Sequence, residues 1–309
     1  MATDHQLRIA VLLPCYNEEA AIVRTIEGFR NALPSATIYV YDNNSRDRTV
    51  ELARGAGAEV RTERMQGKGN VVRRMFADVD VDVYIMADGD LTYDPAAAPT
   101  MVKLLLDDRL DMVVGTRQHE EKDAYRGGHV LGNRIFTGLL SGLFGRSFSD
   151  IFSGYRVFSR RFVKSFPVLS EGFEIETEIS VHALELRMPV GEVETAYGAR
   201  PEGSESKLST FRDGWRILKT IAVLYRIERP VLFYGSIGGL FLLGAIILAA
   251  PLVLTYLDTG LVPRLPTAIL VTGMTIIAVL CVFAGLILDT VTRGRREMRR
   301  LAYLSQPVP

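Results

Sequence analysis

The chain contains few cysteines and histidines, the residues that form disulfides and commonly bind zinc. Its 309 residues include two cysteines and four histidines. Cys15 falls in a predicted strand and Cys281 in a predicted membrane helix, so we expect no disulfide between them. The histidines have no metal-ligand spacing, which argues against a zinc site. The 36 basic and 36 acidic residues cancel, and no nucleic-acid partner is expected.

Charge is also absent from two long stretches near the carboxyl end. Residues 230–257 contain 28 consecutive uncharged residues, and residues 265–288 contain 24. Because about 20 apolar residues span a bilayer, each stretch predicts a transmembrane helix. The short link between them, residues 258–264, predicts a hairpin.

Basic residues lie on both outer flanks of this hairpin. Five arginines or lysines precede the first helix within residues 212–229, and five arginines follow the second within residues 293–300. The link contains one basic residue, Arg264. The positive-inside rule therefore predicts that both ends and the large amino-terminal part lie in the cytoplasm. The expected location of this multi-pass protein is the inner (cytoplasmic) membrane. The amino terminus shows no basic region before an apolar core, so no signal peptide is expected.

Ahead of the hairpin, short apolar runs alternate with segments of helical pattern. The runs lie at residues 8–13, 37–41, 58–61, 83–87 and 111–115, and the first helix is expected from about Glu18. This alternation predicts an α/β domain with a mostly parallel sheet. We expect the domain at residues 1–209, an amphipathic basic helix at 210–229, the two transmembrane helices, and a basic tail at 289–309.

The most informative stretch is VYIMADGDLTYDP, residues 83–95, where an apolar strand ends at Asp88, Gly89 and Asp90. Open α/β sheets bind ligands at the carboxyl edge of their strands. Gly89 leaves room for a close-packed ligand, and two carboxylates one residue apart suit a divalent cation that also holds phosphate oxygens. An isolated Asp-x-Asp is more often a simple acidic turn, but other segments of this chain point to the same ligand.

Polar residues end the other predicted strands as well. Tyr16 to Glu18 follow the first strand, Asp42 closes the second, and Gly67-Lys68-Gly69 forms a basic loop. An aromatic ring, carboxylates and a basic loop at one edge suit a nucleoside diphosphate with its metal. The alternatives are ordinary packing for Tyr16 and an Asx turn with Asn44 for Asp42.

Taken in order, PCYNEE, YDNNSRDRT, GKG, ADGD, FSDIFSGYR and SESKL resemble the blocks of the inverting family-2 glycosyltransferases. More narrowly, they resemble the polyprenyl-phosphate glycosyltransferases, such as dolichyl-phosphate mannose synthase and undecaprenyl-phosphate sugar transferases. The resemblance runs from about Ile9 to Leu208. It implies a GT-A fold, a nucleotide diphosphate sugar donor (UDP-linked in preference to GDP-linked), Mg²⁺ or Mn²⁺, a polyprenyl phosphate acceptor, and a homo-oligomer, by resemblance a tetramer.

The resemblance also implies roles for individual residues. The nucleotide sugar would be held by Pro14, Tyr16, Glu18, Asp42, Lys68, Asp88, Gly89 and Glu176. Asp88 and Asp90 would hold the metal. Asp90 and Asp150 would be the catalytic positions, with Asp150 as a base or an orienting group beside the reacting phosphate. Thr92 stands where some relatives have Gln.

A lipid phosphate needs basic hydrogen-bond donors. The candidates are Arg117, Arg126, His129, Arg200 and Lys207. Arg117 directly follows a predicted strand, whereas Arg126 is equally well explained as solvated surface charge. The block YGARPEGSESKL, which contains Arg200 and Lys207, is either a basic lid that clamps phosphates or a domain linker.

The expected function is transfer of one sugar to a polyprenyl phosphate with inversion at the anomeric carbon. One alternative is a processive polysaccharide synthase. The Gln-x-x-Arg-Trp block of such enzymes is absent, because the only tryptophan, Trp215, follows Phe-Arg-Asp-Gly. The other alternative is a catalytically inactive, membrane-anchored protein that binds nucleotide sugars.

Overall fold

The structure is a computed structural model that describes residues 7–119, 148–170, 172, 174–198, 223 and 225–307. The chain forms two compact units. The first consists of Met1–Phe211 together with Arg299–Pro309, and the second of Arg212–Met298.

The first unit is an α/β domain, which confirms the predicted fold class. Its strands are β1 (Ile9–Cys15), β2 (Thr37–Asp42), β3 (Glu59–Thr62), β4 (Val83–Met86), β5 (Met112–His119), β6 (Arg156–Ser159) and β7 (Val190–Tyr197). The described helices of this unit are α1 (Ile22–Ala32), α2 (Thr49–Gly55), α3 (Lys68–Asp78), α4 (Ala98–Asp107), α5 (Arg160–Ser165) and α6 (Ile175–Glu185), with a 3₁₀ turn at Pro95–Ala97 before α4.

These strands form one seven-stranded sheet in the order β3-β2-β1-β4-β6-β5-β7. β6 runs antiparallel to both of its neighbours, β4 and β5, while the other described pairings are parallel. The parallel strands therefore all end at the same edge of the sheet. Because β6 is reversed, its first residue, Arg156, lies at that edge too, opposite Met86 and Val114.

Apolar patterning explains why these segments fold as they do. Residues of β1 and β4 are buried almost throughout, as expected for strands covered on both faces. On α1, Ile22, Ile26 and Phe29 recur at helical spacing and are buried in the core. The sheet therefore forms the centre of the domain, and its polar strand ends lie outside the apolar core.

Two boundaries differ from the sequence prediction. α1 begins at Ile22 rather than near Glu18, and a turn precedes it in which the Glu18 carbonyl accepts hydrogen bonds from the backbone N–H groups of Ala21 and Ile22. β5 does not end at Gly115 but continues to His119, because it pairs with β7 in parallel register as far as that residue. Arg117 consequently lies within a strand.

The second unit contains two long apolar helices, α7 (Pro230–Thr259) and most of α8 (Leu265–Leu304). Their most apolar windows reach mean hydropathies of 2.5 and 2.6, and 17% and 11% of those windows are buried. A core helix of a soluble protein would be mostly buried, so this exposure favours membrane-spanning helices. A Cβ atom at Gly238 of α7 would lie 2.9 Å from the Ala278 carbonyl oxygen of α8, so the two helices pack closely at this glycine.

The predicted basic tail at 289–309 is helical up to Leu304, where α8 ends. Its last part, from Arg299, belongs to the first unit and contacts the α/β domain: Arg299 Nη1 lies 2.5 Å from Glu185 Oε2, and the Tyr303 hydroxyl donates to Asp111 Oδ2. Most of the predicted amphipathic helix at 210–229 lies outside the described residues, which include only 223 and 225–229 of this segment.

The buried imidazole of His182, on α6, makes the first unit sensitive to acid. Its Nε2 is 3.0 Å from Ser165 Oγ, and within the described residues its Nδ1 has no hydrogen-bond partner. Burial, together with the charge of Arg299, lowers the pKa of His182 to about 3. Below about pH 6.5 the unfolded chain therefore binds a proton that the folded domain does not, and the free energy of unfolding falls as the pH falls toward 3.

We predict that the variant His182→Gln loses less thermal stability than the wild type when the pH is lowered from 7.5 to 5.5. The difference should be about 1.4 kcal/mol, or roughly 3–6 °C in Tm. Differential scanning fluorimetry of the full chain in detergent would measure it. Equal acid shifts in both proteins would show that His182 does not contribute.

Candidate active site

The ends of β1 and β2 form one side of the site. Pro14 pairs with Tyr41 in the sheet, and Asp42 is the last residue of β2. The buried Asp42 carboxylate accepts hydrogen bonds from the backbone N–H groups of Asn44 and Ser45, so the Asx turn considered from the sequence is present.

Tyr16 and Glu18 follow β1 directly. The side chain of Tyr16 is half-buried and that of Glu18 is 7% exposed. The backbone N–H of Glu18 donates to Thr49 Oγ1 at the start of α2, which joins the β1 and β2 ends. These predicted nucleotide-binding residues therefore lie together at the carboxyl edge, next to Asp42.

Asp88 and Asp90 follow β4, in the middle of the same edge. Asp90 is buried, and its Oδ1 accepts hydrogen bonds from both the backbone N–H and the hydroxyl of Thr92. Thr92, which replaces a Gln of some relatives, is thus engaged with Asp90. Gly89 is required between them, because a Cβ at this position would collide with the Cys15 sulfur.

Lys68 connects the donor-side residues. It begins α3, and its Nζ lies 2.5 Å from Asp88 Oδ1 and 2.6 Å from Glu176 Oε1 at the start of α6. Burial by itself lowers the pKa of the Lys68 ammonium, but the two carboxylates outweigh this effect and raise the pKa. Lys68 is therefore a fixed positive charge that brings together two of the predicted nucleotide-sugar residues.

Asn43 supports this arrangement and was not identified from the sequence. Its side-chain nitrogen donates to the carbonyls of Glu63 and Met65, and its oxygen accepts a hydrogen bond from the Gly67 N–H at 2.7 Å. Asn43 thereby fixes the loop that carries Lys68 against the end of β2. The only sequence signal was its place in the polar strand end DNNS.

The acceptor-side prediction concerned Arg117 and Asp150, which lie 33 residues apart and form a two-pronged ion pair. Arg117 Nε is 2.6 Å from Asp150 Oδ2, and Nη2 is 2.8 Å from Oδ1. Burial by itself raises the pKa of the Asp150 carboxyl, but the hydrogen bonds and charge of Arg117 outweigh it and hold the pKa below its usual value. Asp150 is therefore ionised at neutral pH, and it orients the guanidinium.

Arg156 holds the turn that carries Asp150, and the sequence did not identify it as a functional residue. It is fully buried, and its guanidinium donates to the backbone carbonyls of Ile151 and Ser153. Burial lowers its pKa to about 10, so it remains positively charged at neutral pH. The sequence shows that Arg156 follows SGY, at the start of β6. It does not show that the side chain is buried in the protein interior.

Four predicted acceptor-phosphate residues lie outside the described residues: Arg126, His129, Arg200 and Lys207. The described chain reaches residue 119 on one side and Gly198 on the other, where the Gly198 N–H donates to the Thr92 carbonyl.

The described site contains more carboxylates than cations, so its electrostatic field favours a cation. In the described part of the chain no group of three or more His, Cys, Asp or Glu side chains could hold a metal ion by itself. Mg²⁺ is commonly bound by one or two carboxylates together with substrate phosphates. The hard oxygens of Asp88, whose side chain is 29% exposed, and of Asp90 on the same strand end fit that mode.

The comparison with protein families agrees with this geometry. The sequence profile described as glycosyl transferase family 2 matches residues 10–166, which include β1 to β6 and the site residues from Pro14 to Asp150. The chain belongs to glycosyl transferase family 2, a family of enzymes, and this confirms the resemblance seen in its motifs.

Among the similar proteins are several from Haloferax volcanii. Glycosyltransferase AglJ is 34% identical over 232 residues, which cover 74% of this chain and 76% of the relative. A dolichyl-phosphate hexose transferase is 28% identical over 221 residues, 72% of this chain and 95% of the relative. Both alignments extend well beyond the family profile.

Among solved structures, glucosyl-3-phosphoglycerate synthase from Mycobacterium tuberculosis, in complex with Mn²⁺, UDP and glucosyl-3-phosphoglycerate, has a similar fold. The TM-score is 0.58 with 23% sequence identity, covering 71% of this chain and 79% of that chain. At this identity the comparison establishes the fold alone.

The Arg117–Asp150 pair gives a prediction about stability. Removing one member of a buried ion pair leaves the other charge uncompensated, at a cost of about 3 kcal/mol, whereas removing both is often nearly neutral. We therefore predict that Arg117→Met lowers the Tm and that Arg117→Met/Asp150→Asn recovers part of the loss. Thermal unfolding in detergent would measure both.

The exposed pair of Arg48 and Glu51, with side chains 66% and 67% exposed, provides a matched control. Because exposed pairs contribute little, Arg48→Met should leave the Tm nearly unchanged. A double variant that is no more stable than Arg117→Met would contradict the interpretation of a mutually compensated pair, whose side chains are 24% and 10% exposed.

Proposed function

We propose that the protein is an inverting glycosyltransferase that moves one sugar from a nucleotide diphosphate sugar to a polyprenyl phosphate. The observation that carries the proposal is the meeting, at one sheet edge, of the Asp88–Lys68–Glu176 cluster and the Arg117–Asp150 pair. In this proposal the Asp88–Lys68–Glu176 cluster binds the diphosphate and the sugar of the donor. The Arg117–Asp150 pair binds the phosphate of the acceptor. Of the two candidate donors, we propose a UDP-linked sugar rather than a GDP-linked one.

On the donor side, Tyr16, Glu18 and Asp42 would hold the nucleoside at the ends of β1 and β2. Lys68 would place its charge beside the diphosphate, and Glu176 would accept hydrogen bonds from sugar hydroxyls. Asp88 and Asp90 would hold Mg²⁺ or Mn²⁺. When bound, the cation neutralises the charge that develops on the leaving diphosphate. The bound Mn²⁺ and UDP named for the similarly folded synthase agree with this assignment.

On the acceptor side, a phosphate monoester is already an anionic nucleophile, so positioning matters more than proton removal. An oxygen of the lipid phosphate would form the new bond to the anomeric carbon from the face opposite the diphosphate. The nucleoside diphosphate would leave with the bonding electrons of the broken carbon–oxygen bond. Arg117 would orient the phosphate through charge-assisted hydrogen bonds, and the ionised Asp150 would hold Arg117 in place.

The membrane helices and the relatives support a lipid acceptor. Two described helices are long and apolar enough to span a bilayer, and the dolichyl-phosphate hexose transferase is named for a lipid phosphate. We propose an inner-membrane protein with its catalytic domain in the cytoplasm. A GDP-linked donor and a tetrameric assembly stay predictions of the sequence resemblance.

The decisive experiment incubates the purified full chain with undecaprenyl phosphate or dolichyl phosphate and a panel of UDP- and GDP-sugars, each with Mg²⁺ or Mn²⁺. Mass spectrometry of the lipid fraction should find one added sugar per lipid phosphate. Addition of many sugars would favour a processive synthase. Nucleotide-sugar binding without any transfer would favour an inactive binding protein.

We predict that Asp90→Asn reduces transfer at least 100-fold, because the loss of one carboxylate weakens the hold on the cation that stabilises the leaving diphosphate. Initial rates at saturating substrates would measure the effect. Asp107→Asn, at an exposed position of α4, is the matched control and should be fully active. Full turnover of the wild type in excess chelator would refute a role for the metal.

We predict that the link between the transmembrane helices faces away from the cytoplasm, because basic residues flank the hairpin rather than occupy the link. In a variant without Cys15 and Cys281, Thr259→Cys should react with a membrane-impermeant maleimide in intact cells. The matched variant Asp4→Cys should react only after lysis. The reverse pattern would overturn the proposed topology.

A further inference from the structure

Tyr93 connects the donor and acceptor sides of the site. It follows Asp90 by three residues, its side chain is buried, and its hydroxyl accepts a hydrogen bond from the backbone N–H of Gly154 at 2.8 Å. This bond joins the end of β4 to the turn that begins at Asp150. This hydroxyl thus adds a direct link between segments that lie 61 residues apart in sequence, beyond the pairing of β4 with β6.

The Gly154 backbone lies close to the donor-side cluster. A Cβ at this position would lie 2.9 Å from Asp88 Oδ2 and 3.3 Å from Lys68 Nζ, so only a glycine fits without displacing them. Asp150 lies four residues earlier in the same turn. The position of the Gly154 backbone therefore determines how closely the Asp150 turn approaches the Asp88–Lys68 pair.

The ring of Tyr93 is fixed on two sides, which gives the hydroxyl a defined direction. Its centroid lies 5.4 Å from the ring of Tyr155 and 5.2 Å from the ring of Tyr197. Tyr93 and Tyr197 also form an isolated antiparallel bridge. The Arg117 guanidinium lies 5.5 Å from the centroid of the Tyr197 ring, so the same packing reaches the acceptor-side ion pair.

We propose that Tyr93 is a positioning residue that sets the distance between the donor-side cluster of Asp88 and Lys68 and the Asp150–Arg117 pair. The inference rests on the proposed function, because these groups serve the two substrates. Without the hydroxyl, both substrates still find their binding groups, but the reacting phosphate and the anomeric carbon are no longer held in the productive geometry.

The variant Tyr93→Phe tests this, because it keeps the packed ring and removes only the acceptor of the Gly154 N–H. We expect kcat to fall about 10- to 100-fold, the effect of displacing reacting groups by up to about 1 Å. The KM values for the nucleotide sugar and for undecaprenyl phosphate should change less than about threefold, since the binding groups are intact. Binding of UDP with Mn²⁺, measured by calorimetry, should likewise be close to that of the wild type.

Tyr84→Phe is the matched control. Tyr84 is a fully buried tyrosine of the same strand region, and its hydroxyl also bonds to the backbone: it accepts from the Val81 N–H and donates to the Val79 carbonyl. That contact lies before β4, at the opposite end of the strand from the site. Tyr84→Phe should lower the Tm but leave kcat unchanged, which separates positioning from a general loss of stability.

Hydrogen–deuterium exchange gives a readout that does not depend on activity. In Tyr93→Phe the amides of residues 150–156 should exchange faster than in the wild type, and in Tyr84→Phe they should not. The proposal is overturned if exchange in this segment is unchanged. It is also overturned if kcat of an active enzyme stays within about twofold of the wild type, or falls equally in both variants.

A failure of the proposed function gives a different result from a failure of this inference. A wild-type protein that transfers no sugar to either lipid phosphate refutes the proposed function, and the exchange measurement then decides the inference. Faster exchange at residues 150–156 in Tyr93→Phe supports the positioning contact, and unchanged exchange overturns it.

Discussion

The reversed strand β6 is the constraint on which the site depends. In a sheet whose strands all ran parallel, the segment before β6 would lie at the opposite edge, far from the strand ends that carry Asp42 and Asp88. Because β6 is antiparallel to β4 and β5, the turn that contains Asp150 enters the sheet at the edge where those strands end. One change of direction thus brings the acceptor-side carboxylate beside the donor-side cluster.

That entry point is held by buried charge. Arg156 is fully buried and donates to two backbone carbonyls of the turn, while Lys68 and Arg117 are each paired with carboxylates. A buried charge without partners is strongly destabilising, so each cation holds its partners in a defined place. The charged side chains of the site are therefore largely preorganised.

The sequence was sufficient to locate β1 to β5 and the residues at the ends of β1, β2 and β4, because an apolar run that stops at a carboxylate is a local pattern. It did not predict β7 (Val190–Tyr197), whose polar and apolar residues alternate and which forms the edge of the sheet beside β5. It was also not sufficient for the partners of the strand-end residues. Arg117 and Asp150 were predicted to serve the acceptor separately, and their mutual pairing depends on the register of β5 with its neighbours. Tyr93, Asn43 and Arg156 were missed because their side chains bond to backbone groups, which leave no mark in the sequence. The length of β5 was underestimated for a related reason: polar residues continue the strand only because β7 pairs with them.

The pairing of β5 with β7 also bears on how the acceptor is held. Arg117 has five N–H donors and Asp150 takes two of them, so this arginine alone offers a phosphate only part of its hydrogen-bonding capacity. The described ends of β5 and β7 lie side by side at His119 and Tyr197. Arg126, His129, Arg200 and Lys207 lie outside the described residues, and their assignment to the acceptor phosphate stays a prediction of the sequence. Because Asp150 occupies part of the Arg117 guanidinium, that assignment requires further basic donors besides Arg117.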